Sequence, residues 1–385
     1  MVRKPPMPDL NTPEPPADLS DPLARQFPEL EPLRRAAGET PAYLVGGAVR
    51  DLLLGRGRSD VDVVVEGDAA AIARALGGEV VEHERFSTAK ARAGELEIDI
   101  AGAREETYPA PGALPVVRAA GLGPDLARRD FTVNAMAIPL RGRAELIDPH
   151  GGRADLGAGL LRVLHERSFE DDPTRALRAA RYAARFGFAL EPRTEELLRA
   201  ADLGTVSADR RAAELRRIAA EPNAAEGFRL LGEWGLLELR PGGPGLAARV
   251  AELLASAPWS EIAEREQALP AAALGPEGGE VELAAAAPPS PSAGVELARG
   301  RSPVELVLAR ALGGDWLDDY VREWRSVLLE IDGRDLIAAG VPEGPEVGRG
   351  LAEALRLKLD GEVSGREQEL AAALAAVRGG GQGSA

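Results

Sequence analysis

Two aspartates, Asp60 and Asp62, stand two positions apart in the run SDVDVVV and are well suited to hold a metal ion. A strand alternates its side chains between two faces, so residues at i and i+2 share one face. Two carboxylates that close raise each other's pKa unless a cation lies between them. Mg²⁺ prefers such hard oxygen ligands and completes its octahedron with water and substrate phosphates. The pair therefore predicts a Mg²⁺ site.

A glycine pair, Gly46 and Gly47, lies upstream of the aspartates in the run LVGGAVRD, which also contains Arg50 and Asp51. Glycine lets the backbone approach a triphosphate closely, and backbone amides there can point at the anion. The spacing matches neither the G-x-G-x-x-G loop of dinucleotide-binding proteins nor the G-x-x-x-x-G-K-[ST] loop. A tight turn would also explain the glycines alone, but their combination with the aspartates indicates a nucleotide-binding site of another type.

The remaining titratable residues give fewer signals. Asp99 lies on a third strand-like run, LEIDIAG, where an ordinary half-exposed aspartate is an equally good interpretation. The three histidines, His83, His150 and His165, stand in unrelated contexts, so neither a histidine–aspartate phosphohydrolase nor a Ser/His/Asp triad is indicated.

The composition does not decide whether the protein binds nucleic acid. The formal net charge is −16, which argues against nucleic acid, but many arginines fall between residues 175 and 217, and phosphate attraction acts within about a Debye length. The chain has no cysteine, which is consistent with a reducing cytoplasm. No apolar run approaches the length of a membrane span, and no secretory signal is evident.

The elements that must position these residues change character along the chain. The runs AYLV, VDVVVE and ELEIDIAG predict strands, and DAAAIARALGG predicts a helix that ends at glycine. From about Leu161 onward the periodicity is helical, as in DPTRALRAARYAARFGF. Residues 268–302, rich in Ala, Pro and Gly, predict either a loop or the boundary of a further helical unit.

Several motifs in order along the chain resemble one family, the class II CCA-adding enzymes and bacterial poly(A) polymerases. The first is GG-x-V-R-D followed by D-x-D, and the second is RRDFTVNAMA at residues 128–137. The run IDPHGGRADLGAGLLRVL at 147–164 is similar to the connector after the head domain. DDPTR at 171–175 fits the family's E-D-x-x-R motif, with Asp171 in place of the usual Glu. VSADRRAAELRRI resembles the next motif, with Arg210 paired to Glu214, and WLDDYVREWR and GRDLIAAGVPEGPEVG resemble the C-terminal region.

The resemblance implies an α+β fold: a polymerase-β-like nucleotidyltransferase head followed by an all-α neck, body and tail. The expected divisions are a disordered Pro-rich tail, the head, a helical neck that recognises the base, and a helical body and tail that bind RNA, at 1–25, 26–160, 161–240 and 241–385 respectively.

The resemblance also implies roles for individual residues. Asp60 and Asp62 bind the metal, and Asp99 supplies the third carboxylate of polymerase-β-like folds, which assists metal binding or accepts the proton of the attacking hydroxyl. The expected nucleotide-binding residues are Gly46, Gly47, Arg50, Arg129, Asp172, Arg175, Arg178 and Arg181. Among these, Arg129 is expected on the triphosphate unless it only pairs with Asp130 or caps a helix. Asp172 and Arg175 are expected to select the base unless they form an ordinary helix ion pair.

The implied activity is the addition of C and A to the 3′ end of tRNA from CTP and ATP, with Mg²⁺ and release of pyrophosphate. The partners are then the tRNA 3′ end and acceptor stem, with no membrane and no protein partner inferred, and the location is cytoplasmic. Three alternatives stay open: a CC-adding or A-adding enzyme, a poly(A) polymerase, and an inactive RNA-binding relative. Poly(A) polymerases usually carry a basic G-R-R-F-like run, whereas HERFSTAKA stands at residues 83–91, which favours tRNA.

Overall fold

The computed structural model describes residues 18–28, 30–56, 60–77, 80–83, 88–93 and 96–380. The chain divides into two compact units, of which the first ends at Leu237 and the second begins at Glu238. The first unit contains the β-sheet and the helices that follow it, and the second is helical. The fold class expected from the sequence is therefore confirmed.

The N-terminal segment is more ordered than the sequence indicated. The expected disordered tail extended to residue 25, but helix α1 (Ser20–Gln26) begins inside it, followed by α2 (Leu30–Ala37). Leu23 and Phe27 are buried, and the N–H of Leu19 donates to the carbonyl of Ala144 at 2.9 Å. These apolar contacts offset the entropy of ordering a segment that composition alone marks as polar.

Within the described residues the main sheet contains six strands in the spatial order β3-β4-β5-β2-β1-β8. Strands β2 and β5 are parallel, and every other neighbouring pair in the sheet is antiparallel. The strands predicted at AYLV, VDVVVE and ELEIDIAG are confirmed as β1, β2 and β5. The six strands are β1 (Ala42–Val45), β2 (Val61–Val65), β3 (Val80–His83), β4 (Thr88–Ala93), β5 (Leu96–Gly102) and β8 (Ala137–Pro139).

Two short two-stranded sheets accompany the main one. The first is a hairpin of β6 (Arg104–Thr107) and β7 (Val116–Ala119), and the second pairs β9 (Leu160–Leu161) with β10 (Ala189–Leu190) in parallel.

Helix α4 (Ala69–Leu76) of the head begins and ends at residues suited to those positions. Asp68 accepts from the N–H of Ala71 at the start of α4, and Gly77 follows its last turn with a φ of +71°. The helix predicted in this region is therefore confirmed. The head helices after α2 are α3 (Gly47–Leu53), α4 (Ala69–Leu76), α5 (Leu122–Ala127) and α6 (Gly152–Ala158).

The helices that follow, α7 to α11, complete the first unit. In α8 the alanines are buried on one side while most arginines lie on the other, which is the amphipathic pattern that the sequence shows. The five helices are α7 (Ser168–Asp171), α8 (Thr174–Phe186), α9 (Pro192–Arg199), α10 (Ala208–Ala220) and α11 (Ala224–Glu233).

The second unit continues with helices, and residues 268–302 fall within it. The sequence left a loop or a boundary open there, and the structure places most of this segment in helices. The helices of the unit are α12 (Gly243–Leu253), α13 (Arg265–Leu274), α14 (Gly279–Ala285), α15 (Pro291–Ala298), α16 (Pro303–Ala311), α17 (Leu317–Arg322), α18 (Gly333–Ala338), α19 (Pro345–Leu359) and α20 (Gly365–Gly380). None of the helices in the described ranges combines the length and the apolar character that a membrane crossing requires.

Candidate active site

A cavity of about 580 Å³ opens in the first unit, where one face of the sheet meets the segment after α5 and the helix α8. It gathers ten of the eleven residues that the sequence singled out: Gly46, Gly47, Arg50, Asp62, Asp99, Arg129, Asp172, Arg175, Arg178 and Arg181. The eleventh, Asp60, is exposed and does not line the cavity.

Two carboxylates meet on the sheet at the floor of the cavity. Asp62 on β2 and Asp99 on β5 are direct partners in the parallel register. Side chains in register on adjacent strands lie on the same face and within reach of one another. Burial raises the pKa of Asp62 to about 6; Arg129 opposes this shift, and the charges of Asp99 and Asp60 add to it. Two acidic groups are thus held close enough to repel each other.

Asp60 and Lys90 lie near these two carboxylates in positions that the sequence did not indicate. The strand begins at Val61, so Asp60 precedes β2 and is not inside it as the alternating pattern suggested. Lys90 on β4 pairs with Asp99 across the antiparallel register, and its Nζ lies 3.2 Å from Asp99 Oδ1. The two aspartates that the structure pairs on adjacent strands are therefore Asp62 and Asp99.

The chemistry of this donor set fits a divalent cation completed by its substrate. Among the described residues, no group of three or more His, Cys, Asp or Glu side chains forms a closed metal cage. Mg²⁺ in phosphoryl-transfer sites is held by one or two carboxylates together with substrate phosphates, so a closed cage is not required. Asp62 and Asp99 line the cavity where such an ion would lie, and the charge of Asp60 acts on Asp62 from beside it.

Gly46 brings the backbone against both Asp62 and Arg129. Its φ is +66°, a conformation that favours glycine. A Cβ at this position would lie 2.8 Å from Arg129 Nη1 and 3.8 Å from Asp62 Oδ2. The glycine therefore leaves room for the guanidinium beside the carboxylate.

Arg50, expected on the nucleotide, is engaged by the protein itself. The side chain is buried; its Nε donates to Asp51 Oδ1 at 2.8 Å and its Nη1 donates to Asn134 Oδ1 at 2.6 Å. The guanidinium also lies over the rings of Phe186 and Tyr182, 4.4 Å and 5.4 Å from their centroids. These contacts favour a role in fixing the cavity wall.

Two arginines of the cavity each retain a buried donor without a partner among the described residues. They are Arg129, whose Nη2 donates to Asp125 at 2.9 Å, and Arg181, whose Nη1 lies 3.4 Å from Glu221. The Nε of each is buried and makes no hydrogen bond within the described part of the chain. Because a buried donor left unsatisfied costs about 1–3 kcal/mol, a ligand oxygen at either position would be stabilised. The sequence's alternative for Arg129, a pair with Asp130, is not what the structure shows.

Arg178 is paired within the protein. Its guanidinium donates to Asp130 Oδ2 at 2.8–2.9 Å and to the hydroxyl of Tyr182 at 2.8 Å. Asp130 also accepts from Asn134 Nδ2 at 2.9 Å. Burial alone would raise the pKa of Asp130, but Arg178 and Asn134 outweigh it and lower the pKa to about 2. The charge of Arg178, expected on the nucleotide, is thus met by an internal acid.

Asp172 and Arg175 line the same cavity. A spacing of three residues would place them on one face of a helix, but the structure does not do so. Asp172 lies in extended backbone between α7 and α8, whereas Arg175 lies in the first turn of α8. Asp172 Oδ1 accepts from Thr174, and also from Arg210 Nη2 at 2.8 Å. Arg210 therefore pairs with Asp172, which corrects the pairing with Glu214 expected from the sequence.

Arg175 is buried and oriented by two acceptors. Its Nη1 donates to Ser168 Oγ and its Nη2 to the carbonyl of Arg128, both at 2.7 Å. No ion pair joins it to Asp172 in the described structure, so the interpretation as an ordinary helix ion pair is not supported. Asp172 Oδ2 accepts no bond from a described residue and lies at the cavity.

Sequence reasoning missed several residues of the cavity. Lys90, Glu106, Tyr108, Asp130 and Asn134 all line it. Asp130 and Asn134 belong to the motif RRDFTVNAMA, and this motif could have marked them as site residues. Nothing in the local pattern marked Glu106 or Tyr108. The run HERFSTAKA, used against a poly(A) polymerase, falls partly at residues 84–87, outside the described residues.

The fold and the cavity define a nucleotidyltransferase with a polymerase-β-like head. The profile described as the poly A polymerase head domain matches residues 42–162, and that described as a probable RNA and SrmB-binding site of polymerase A matches 187–241. The CC-adding tRNA nucleotidyltransferase of Deinococcus radiodurans is 37% identical over 352 residues, covering 87% of this chain and 89% of that protein. The chain therefore belongs to the tRNA nucleotidyltransferase and poly(A) polymerase family.

Other members of the family match in different ways. The A-adding tRNA nucleotidyltransferase of Halalkalibacterium halodurans is 48% identical over 173 residues, 43% of this chain. That match covers 40% of the relative, so the chain spans less than half the length of this A-adding protein. Among solved structures, the Thermotoga maritima CCA-adding enzyme complexed with tRNA matches with a TM-score of 0.73 and 30% sequence identity. A CCA-adding enzyme complexed with ATP matches with a TM-score of 0.77 and 30% sequence identity. Each of these two matches covers 93% of this chain and 98% of the other chain.

Proposed function

We propose that this protein adds C and A to the 3′ end of tRNA, using CTP and ATP and releasing pyrophosphate. The observation that carries the proposal is the set of residues that line this one cavity. Two carboxylates in register on neighbouring strands, Asp62 and Asp99, share it with the buried arginine donors and with Asp172 and Arg175. Known structures of the family include complexes with tRNA, ATP and CTP. The setting proposed for this activity is the cytoplasm, where tRNA is processed.

The reaction places different demands on each end of the cavity. The RNA 3′-hydroxyl attacks the α-phosphorus, a new P–O bond forms, the bond to the β-phosphate breaks, and pyrophosphate leaves. Arg129 and Arg181 have buried donors for phosphate oxygens. Gly46 leaves space for the approach of the triphosphate.

The proposed metal is Mg²⁺, with Asp62 and Asp60 as ligands and Asp99 as the third carboxylate. When bound, such an ion lowers the pKa of the attacking hydroxyl and neutralises charge on the leaving group. Asp99 is positioned by its register with Asp62 and by Lys90, so its carboxylate is held at the reacting end.

Base selection is proposed for Asp172 and Arg175. An ionised Asp172 offers only acceptors and Arg175 only donors, so together they complement the amino group and ring nitrogen that C and A share. The unbonded Oδ2 of Asp172 is available for the amino group. Arg175 has further N–H groups beyond the two that bind Ser168 and Arg128.

The main alternative is a partial enzyme that adds only A. The first unit supplies the proposed active site, and the 173-residue match to an A-adding protein is 48% identical, against 37% for the longer match to a CC-adding protein. The two percentages cover different spans, but they make A-only addition the outcome to compare with complete CCA addition. A CC-adding enzyme, a poly(A) polymerase and an inactive relative are the other outcomes.

One assay separates these functions. Purified protein is incubated with tRNA ending at the discriminator base, at C and at CC, with Mg²⁺ and each labelled nucleotide in turn, and products are resolved to the nucleotide. Complete CCA addition predicts extension of all three; an A-adding enzyme extends only the CC end, a CC-adding enzyme stops after CC, and a poly(A) polymerase adds a run of A.

The matched variants for this assay are Asp62→Asn and Asp319→Asn. Asp62→Asn keeps the shape but removes the charge, and we expect addition to fall by about a thousandfold or more because several kcal/mol of transition-state stabilisation are lost. Asp319 is exposed on α17 in the second unit and should have no effect when replaced. Full activity of Asp62→Asn would remove the proposed role of Asp62 as a metal ligand.

A further inference from the structure

The β6–β7 hairpin forms a wall of the cavity that no motif in the sequence marked. Glu106 lies on β6, and Tyr108 follows the strand two residues later on the same side, so both line the cavity. The inference drawn from this wall rests on the proposed function, in which a nucleotide binds in the cavity and one part of it faces the hairpin.

The tip of the hairpin is fastened to the helices of the same unit. The N–H of Gly112 donates to the carbonyl of Glu170 at 3.2 Å, and its own carbonyl accepts from Arg210 Nη1 at 2.8 Å. A Cβ at Gly112 would lie 2.6 Å from the carbonyl oxygen of Thr205, so the backbone is in close contact there. Arg210 also binds Asp172, and it therefore joins the hairpin to one of the two proposed base-selecting residues.

The hydroxyl of Tyr108 is occupied, which leaves the ring as the group that Tyr108 presents. The hydroxyl donates to Glu106 Oε2 at 3.0 Å, and burial together with Glu106 raises the pKa of Tyr108, so the phenol stays protonated. Glu106 is held in turn by Arg104 and by Arg128, whose Nη1 lies 3.0 Å from Oε1. The ring is thus fixed in position before any ligand binds.

The other tyrosine of the cavity, Tyr182, has no comparable free face. Arg50, Arg178 and Arg181 lie within 4.6–5.5 Å of its ring centroid, and Phe131 packs against it edge-on at 5.9 Å. Within the described residues, the Tyr108 ring has no aromatic or guanidinium neighbour of this kind. A planar, half-buried ring that is open to the cavity is suited to stack on a base.

Tyr108 lies at the base end of the cavity. Its partner Glu106 is held by Arg128, whose carbonyl accepts from Arg175 Nη2 at 2.7 Å, and Arg210 joins the same hairpin to Asp172. Gly46 and Asp62 lie together at the proposed triphosphate end. We propose that Tyr108 is a base-contacting residue, whose ring packs against the purine or pyrimidine of the incoming nucleoside triphosphate while Asp172 and Arg175 bind its edge.

The experiment compares two ligands that differ only in the base: ATP and ribose 5′-triphosphate. Equilibrium binding of each to the full chain is measured without tRNA in a Mg²⁺ buffer, for the wild type and for Tyr108→Ala, Tyr108→Leu, Tyr108→Phe and Tyr108→Trp. Loss of a base–aromatic stack should raise the Kd for ATP roughly 5- to 100-fold in the Ala and Leu variants. The Kd for ribose 5′-triphosphate should change by less than about twofold, since it has no base to stack. The Phe and Trp variants keep a ring and should retain ATP affinity within about threefold of the wild type.

Each other result overturns the assignment. If Ala and Leu weaken both ligands equally, Tyr108 only supports the hairpin; if they weaken neither, the ring makes no contact. If Phe is as damaging as Ala, the hydroxyl and not the ring is required. A wild type that binds neither ligand overturns nucleotide transfer itself, and this outcome is distinct from wild-type binding with unaffected variants. Melting temperatures identify a variant that fails to fold, in which case Leu and Trp still give the comparison.

Discussion

At the scale of single residues, the structure separates side chains that have free capacity from those already satisfied. Arg50 and Arg178 have their guanidinium groups bound by Asp51, Asn134 and Asp130. Asp172, in contrast, keeps one carboxylate oxygen without a described partner. Membership of one cavity is therefore not enough to assign a contact with the nucleotide.

Replacing Asp172 with Asn should relax the choice of base. The amide turns one acceptor into a donor, so it can pair with the carbonyl that U and G present at the corresponding position; their ring N–H still faces the donors of Arg175, so one of the two mismatches is removed. An unpaired buried group costs about 1–3 kcal/mol, so incorporation of UTP and GTP relative to CTP and ATP should rise roughly 5- to 150-fold. The measurement is single-nucleotide addition to tRNA with each of the four triphosphates.

Asp171→Asn is the control for that measurement, because Asp171 pairs with Arg167 and does not line the cavity. A uniform loss with all four nucleotides in Asp172→Asn would show that the residue is structural, and base choice would then be assigned elsewhere.

At the scale of elements, one buried network ties the segment after α5 to helix α8. Asp130 receives hydrogen bonds from Arg178 on α8, from Asn134 and from the N–H of Phe131. These interactions hold the head and the following helices in the arrangement that closes the cavity. Because Asp130 is buried and ionised, removing its charge leaves Arg178 without its main partner.

The network gives the stability a predictable pH dependence. The folded pKa of Asp130, about 2, is below the 3.8 that is ordinary for an aspartate, so the stabilisation is complete above about pH 4 and is lost as pH falls through 2. A depression of this size corresponds to about 2 kcal/mol. Asp130→Asn should therefore be less stable than the wild type at pH 7, by roughly this amount, and the difference should shrink between pH 4 and pH 2.

The free energies of unfolding are measured with urea at several pH values. Asp209→Asn, at an exposed position on α10, serves as the control and should follow the wild type throughout. A destabilisation that stays constant between pH 4 and pH 2 would contradict the assignment.

At the scale of the whole molecule, the net charge of −16 and the arginine-rich region at 175–217 give opposite signals. The structure resolves part of this conflict, because many of these arginines are paired with acids in the protein. Arg193 pairs with Glu166 and Glu196, and Arg199 pairs with Glu195. Clustering in the sequence therefore overstates the charge that is free to bind phosphate.

Binding of tRNA should still weaken as salt rises, because unpaired arginines release counterions from the RNA. Arg216 is exposed on α10, and Arg216→Gln should make the slope of log affinity against log salt shallower by roughly 0.7–0.9. Arg229→Gln should leave the slope unchanged, since Arg229 is already bound by Glu226 and Glu233. Filter binding between roughly 50 and 200 mM salt measures both, and an affinity independent of salt would rule out phosphate contacts as its main source.

The sequence by itself determined the local elements. Runs of β-branched residues located β1, β2 and β5, and the terminal glycine located the end of α4, because these signals depend on neighbours a few positions away. The ordered motifs also brought most of the site residues to attention, and ten of them line one cavity. The order of residues 18–25 was missed, since composition does not report whether Leu23 finds a surface to pack against.

Only the tertiary structure decided which groups meet. The pairing of Asp62 with Asp99 depends on two strands placed in parallel with two further strands between them in the chain. Asp172 binds Arg210, and Tyr108 reaches the cavity on a hairpin fastened at Gly112. These contacts arise from strand register, helix packing and backbone approach between residues far apart in sequence. Side-chain periodicity carries no information about such distances, so only the tertiary structure shows which partner each charged group has.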